Sequence, residues 1–152
     1  MKYKFIEHTA DIKFQAFGEN KEEVFENSAL ALKNVISEDK VDSKEKETIK
    51  IKTEDLENLL VDFLEEFLVL FENKGFILSN IEKIKIKKID IKKGCEKYEL
   101  NAIVLGDFLE DSEKKDYEIS NHIKAITYNE IFIKKTLRKG KEEWVSQIVV
   151  DV

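Results

Sequence analysis

A chain of 152 residues suggests one domain over residues 1–152, and a 42% hydrophobic fraction that includes ten Phe is enough to fill a core. The charged fraction is high at 38%, but its two signs are interleaved, which excludes a disordered charged tail. A net charge of −6 argues against stand-alone nucleic-acid binding, because phosphates are neutralised by Lys and Arg; the 26 basic residues still leave room for a local basic patch.

In chain order, Tyr3-Lys4-Phe5 and Ile12-Lys13-Phe14-Gln15-Ala16 alternate as half-buried strands do, with Glu7 to Asp11 between them. Gly18-Glu19-Asn20 reads as a turn, and Asn20 with Glu23 three residues on forms a capping-box pattern. A helix is predicted from about Lys21 to Ile36, with Phe25, Ala29, Leu32 and Ile36 facing the core. Ser37 to Lys46 reads as a loop and Thr48 to Thr53 as a strand. Thr53 is the predicted cap of a second helix whose first turn holds Glu54, Asp55 and Glu57. Leu56, Leu59, Leu60, Phe63, Leu64, Phe67, Leu68 and Phe71 give it a broad apolar stripe, and Lys74-Gly75 ends it.

The second half reads as β structure. Ile84 and Ile86 alternate with lysines, Lys87-Lys88 breaks the phase as a bulge would, and Ile89 and Ile91 resume it. A turn at Gly94 leads to a returning strand carrying Tyr98, Leu100, Ala102 and Val104. Gly106 and the charged run to Lys115 read as a loop. Strands follow over about Ile123 to Thr127, Glu130 to Leu137 and Trp144 to Val150, with a turn at Lys139-Gly140. The order ββαβα followed by several strands predicts an α+β domain, a mostly antiparallel sheet packed with two main helices.

Few residues invite chemistry. The single Cys95 excludes an intrachain disulfide and a Cys-rich metal site. On spacing alone Asp11 reads as a turn or cap residue, and His8 and His122 as structural histidines. Lys124 reads as an outward charge on an edge strand. The apolar run Val149-Val150 carries strand character to Asp151 and Val152. If the chain stops there and the two ends meet, the Asp11 and Asp151 side chains and the Val152 carboxylate converge. Like charges that close recruit a cation, and an all-oxygen set suits calcium or magnesium rather than zinc or copper. No general base or nucleophile recognisably accompanies the aspartates, which weighs against a metal-dependent hydrolase. No run reaches membrane-spanning length and no signal peptide opens the chain, so the expectation is a cytoplasmic protein without a membrane partner.

Four stretches together resemble the archease family: Phe5-Ile6-Glu7-His8-Thr9-Ala10-Asp11-Ile12, Phe25-Glu26-Asn27-Ser28-Ala29-Leu30-Ala31-Leu32, Ile123-Lys124-Ala125-Ile126-Thr127-Tyr128 and Val149-Val150-Asp151-Val152. Their order and spread cover essentially the whole chain. Asn129 departs from the pattern, standing where many members have His, so no role is carried to that position. The resemblance implies a protein cofactor, not itself an enzyme, that activates an RtcB-type RNA ligase in tRNA splicing. It would promote guanylylation of the ligase's histidine and multiple turnover, meeting tRNA only indirectly through the ligase. The resemblance also implies a metal site of Asp11, Asp151 and Val152 that takes calcium, with magnesium or another divalent ion as the alternative. Lys124, matching a family lysine near that site, is an implied partner contact, and His8 is a further candidate for partner contact. The competing functional reading is a general chaperone or adaptor for RNA-modifying enzymes.

Overall fold

A computed structural model describes residues 1–7, 10–92, 95–109 and 117–152. The predicted Gly94 turn, most of the charged run to Lys115, and His8 lie outside the described residues.

Helix α1 spans Lys21–Ile36, as predicted. The Asn20 side chain accepts the Glu23 amide at 2.8 Å, satisfying one of the amides that a helix start leaves unpaired. Helix α2 spans Leu56–Lys74, and its cap is Asp55 rather than Thr53. The Asp55 carboxylate accepts from the Asn58 amide and from the Asn58 side chain, at 2.8 and 2.9 Å. Thr53 belongs to the preceding strand, too far from the first turn to reach it, and a carboxylate at that position also favours the helix dipole. Gly75, at φ 67°, stops α2 in the left-handed conformation that glycine adopts without strain, its amide donating to the carbonyls of Leu70 and Phe71.

The strands form two sheets in which every pairing is antiparallel. One has four strands in the order β1 (Tyr3–Ile6), β2 (Ile12–Gly18), β7 (Lys141–Asp151), β6 (Ala125–Arg138). The other has three, in the order β3 (Glu45–Thr53), β5 (Cys95–Phe108), β4 (Phe76–Lys92). Each helix touches strands of both sheets, so one core serves the two. Phe14, Ile148 and Val150 of the first sheet join Ile49, Leu100 and Val104 of the second around Phe25 and Phe63. The Phe63 ring lies 5.9 Å from Phe25 and 5.0 Å from Phe67.

The sheets depart from the sequence reading in five places. Strand β3 opens at Glu45, inside the predicted loop. Strand β4 begins directly after Gly75 rather than near Ile84; register shifts between Leu78 and Asn80 and between Ile81 and Lys83 interrupt its alternation and hid it from a two-residue period. The expected bulge at Lys87-Lys88 is absent: Lys87, Lys88 and Ile89 pair in step with Glu99, Tyr98 and Lys97, so Ile89 simply takes the other face. Gly106 lies within β5, not in a loop; a Cβ there would stand 2.0 Å from the Ile77 carbonyl oxygen, so the close approach of β4 requires glycine. The two predicted strands around Tyr128 are one strand, β6, broken in register between Thr127 and Phe132 with Glu130 at φ 54°. The turn at Lys139-Gly140 is as predicted, both residues having positive φ between paired Arg138 and Lys141.

Candidate functional site

The pairing of β2 with β7 decides where the chain's two ends go. Ile12, the first residue of β2, pairs with Val150, so Asp11, just before β2, lies at the same end of this strand pair as Asp151, the last residue of β7. Strand β6 borders β7 on its other side, pairing Ala125 with Asp151, and the Lys124 amide donates to the Asp151 carbonyl at 2.7 Å. Asp11, Lys124, Asp151 and Val152 therefore share one end of the four-stranded sheet. Neighbouring strands lie about 4.7–4.9 Å apart, so side chains at one end of adjacent strands are candidates to share an ion.

Burial sets their direction. Ile148, Val149 and Val150 are fully buried, and Val152 packs against the core. Strand alternation then turns Asp151 away from the core that Val150 and Val152 enter. Asp11 and Asp151 are both half-buried, and Lys124 is exposed. The Asp151 carbonyl is already engaged by Lys124, leaving that residue's carboxylate available. Among the described residues no group of three or more His, Cys, Asp or Glu side chains gathers to hold a metal ion. The donors that fit a cation here are two carboxylates and the main-chain oxygens of Val152, completed by water. An irregular, oxygen-only set of that kind suits calcium.

Two features of this end had no sequence signal. Asp11 borders a hollow of about 370 Å³ whose wall includes Phe5, Glu7, Asn34, Glu38 and Asn121, drawn from segments far apart in the chain. The break in β6 is held from three sides. Thr127 Oγ1 donates to the Val149 carbonyl at 2.8 Å, the Gln147 side chain donates to the Glu130 carbonyl at 2.7 Å, and the Tyr128 hydroxyl donates to Asn58 at 2.8 Å. Asn58 is the residue whose amide Asp55 caps, so Tyr128 ties the strand beside Lys124 to the start of α2. Burial pushes the Tyr128 hydroxyl pKa up, with Asp62, Glu65 and Asp55 adding to the shift. Asn129 is exposed, and its amide donates to Thr127 Oγ1 at 3.3 Å. His122 is exposed too, its ring 6.3 Å from that of Phe71.

The chain matches the family model described as the Archease protein family (MTH1598/TM1083) over residues 3–152. It is similar to the protein archease of Methanosarcina barkeri (strain Fusaro / DSM 804), 40% identical over 151 residues that cover 99% of this chain and 95% of the relative. The protein archease of Pyrococcus abyssi (strain GE5 / Orsay) is also 40% identical, over 152 residues covering 99% of each. The solution structure of Methanobacterium thermoautotrophicum protein 1598 superposes with a TM-score of 0.70 at 28% identity, covering 99% of this chain and 98% of that one. Nearly complete coverage by both sequence and structure means that this chain belongs to the archease family.

Proposed function

We propose that this protein activates an RtcB-type RNA ligase in tRNA splicing, promoting GTP-dependent guanylylation of the ligase and its multiple turnover. The observation that supports the reading is that Asp11, Asp151 and Lys124 lie at one end of the sheet formed by β2, β7 and β6 in an archease-family chain. The protein acts in the cytoplasm as a protein cofactor rather than as the ligase. Asp11 and Asp151 hold a divalent cation, calcium in preference to magnesium, with the main-chain oxygens of Val152. When bound, the cation supplies positive charge that offsets the repulsion between the carboxylates. Lys124 contacts the partner, and His8 is a second candidate contact. A compact acidic tip suits entry into a basic nucleotide-binding cleft, where complementary charge speeds encounter and fixes orientation.

The surface favours this reading over a general chaperone. A chaperone needs a contiguous exposed apolar area. The large exposed apolar residues among those described, Met1, Phe5, Val69, Tyr128 and Leu137, are distributed over β1, α2, β6 and the N-terminus. Purified ligase, GTP and broken tRNA test the proposal. Adding this protein should raise the covalent GMP on the ligase and carry ligation beyond one turnover per enzyme. A rise in soluble ligase with no gain per molecule would overturn it in favour of the chaperone.

A further inference from the structure

The outer face of the three-stranded sheet is a second, chemically opposite surface. Leu100, Ala102 and Val104 of β5 enter the core, as do Ile49 of β3 and Ile81 of β4. Alternation sends the intervening residues outward. Three rows then run straight across the sheet: Thr48, Ile103, Lys83; Lys50, Asn101, Lys85; and Lys52, Glu99, Lys87. Lys46 extends the β3 row. All six lysines are exposed. Lys46 pairs with Glu82 at 3.2 Å. Glu99, in the last row, is the one carboxylate that β5 contributes to these three rows, and Asn101 donates to it at 3.4 Å. Among the described residues no carboxylate pairs with Lys50, Lys83 or Lys85. These three, with Thr48, Asn101 and Ile103, line a hollow of about 330 Å³.

We infer that this trough binds the phosphate backbone of single-stranded RNA. Lys50 and Lys52 on β3, and Lys83, Lys85 and Lys87 on β4, repeat every ~6.6–6.8 Å, the scale on which phosphates follow one another along an extended nucleic-acid strand. The β3 and β4 rows stand two strand spacings apart, about 9.5 Å, with the shorter β5 side chains as a floor between them. One extended backbone fits between such rows; a duplex does not descend into them. Thr48 and Asn101 add hydrogen-bonding groups for sugar and phosphate oxygens. The large apolar side chains on this face, Ile103 and Leu105, are half-buried on the central strand rather than fully exposed, which separates it from membrane-surface helices. The charge pattern selects a polyanion; that the polyanion is RNA rests on the ligase-activator reading. It goes beyond that reading, because it gives the protein its own hold on the substrate.

The test needs no ligase. Fluorescence anisotropy of a labelled single-stranded RNA of about 12 nucleotides with the whole protein should show binding at low salt. Its affinity should fall with salt with a log–log slope of about −2 to −3, as three or four lysine–phosphate contacts require. The double variant Lys50→Glu, Lys85→Glu should weaken binding about tenfold or more and flatten the slope by about 2. The charge-matched control Lys40→Glu, Lys141→Glu, on exposed positions away from the trough, should bind like the parent. Thermal melts of all three proteins verify folding. Equal weakening by both double variants, tighter binding of the duplex, or equal binding to vesicles of anionic lipid would overturn the inference. Failed ligase activation with intact RNA binding would count against the activator reading alone, and the converse against the trough alone.

Discussion

The two sheets use one antiparallel scaffold for opposite chemistry. One end of the four-stranded sheet carries Asp11 just before β2, Asp151 at the end of β7 and Lys124 just before β6. On the face of the three-stranded sheet, the same alternation lays out lysines in rows. A strand end makes a point: a few groups converge once, which suits an ion and a partner's cleft. A sheet face makes a lattice: groups recur at fixed spacing, which suits a polymer. The chain carries a net −6 yet concentrates six lysines on one face, so its overall charge describes neither region.

The comparison supposes that the regions differ in function while sharing one core, and Phe63 tests the sharing. Its fully buried ring meets Phe25 and Phe67, and Phe63→Ala should cost about 3–5 kcal/mol. Denaturant unfolding should remain one cooperative transition at a lower midpoint. Two separated transitions would mean that each sheet folds on its own. A smaller effect is expected at the acidic tip. Asp151→Ala should weaken calcium binding at least about tenfold in calorimetry, and a two-residue extension after Val152 should also weaken it. Equal affinity in parent, variant and extended protein would remove the terminus from the site.

Tyr128→Phe sharpens the account of how the tip is positioned. It deletes the hydroxyl that links β6 to Asn58 at the start of α2 and should cost about 1 kcal/mol, or about 2–4 °C in Tm. The smallest effect concerns the acidic side of α2. Burial raises the carboxyl pKa of Asp62, and burial together with Asp62 and Glu66 raises that of Glu65. A raised folded-state pKa favours the protonated form, so this contribution to stability is present at low pH and lost as pH rises through the folded-state values. The double variant Asp62→Asn, Glu65→Gln should therefore gain about 1 °C in Tm at pH 7 and nothing below about pH 4. A gain that persists in acid would assign the effect to packing instead.

How much was legible in advance follows from which physics was local. Both helices, the Asn20 cap, the Gly75 stop and the Lys139-Gly140 turn rest on interactions within a few residues, and each appears where the pattern placed it. Strand β4 was legible only from Ile84 onward, because two register shifts near its start erase the alternation there. Gly106 looked like a loop residue; its reason lies across the sheet, in the Ile77 carbonyl. At the candidate site the residues came from the family motifs, while their meeting depends on strand order, which periodicity does not encode. The lysine rows show the same division. The alternating lysines of β3 and β4 are plain in the sequence, but only pairing of both strands with β5 turns them into a trough.

The central claim is that the acidic tip carries ligase activation. Guanylylation of an RtcB-type ligase, measured with GTP and without RNA, isolates the tip from the trough. The parent protein should raise the rate of GMP attachment, and Asp11→Asn and Asp151→Asn, each folded by thermal melt, should lose most of that gain. Stimulation by both variants equal to that of the parent, or none by the parent itself, would contradict it.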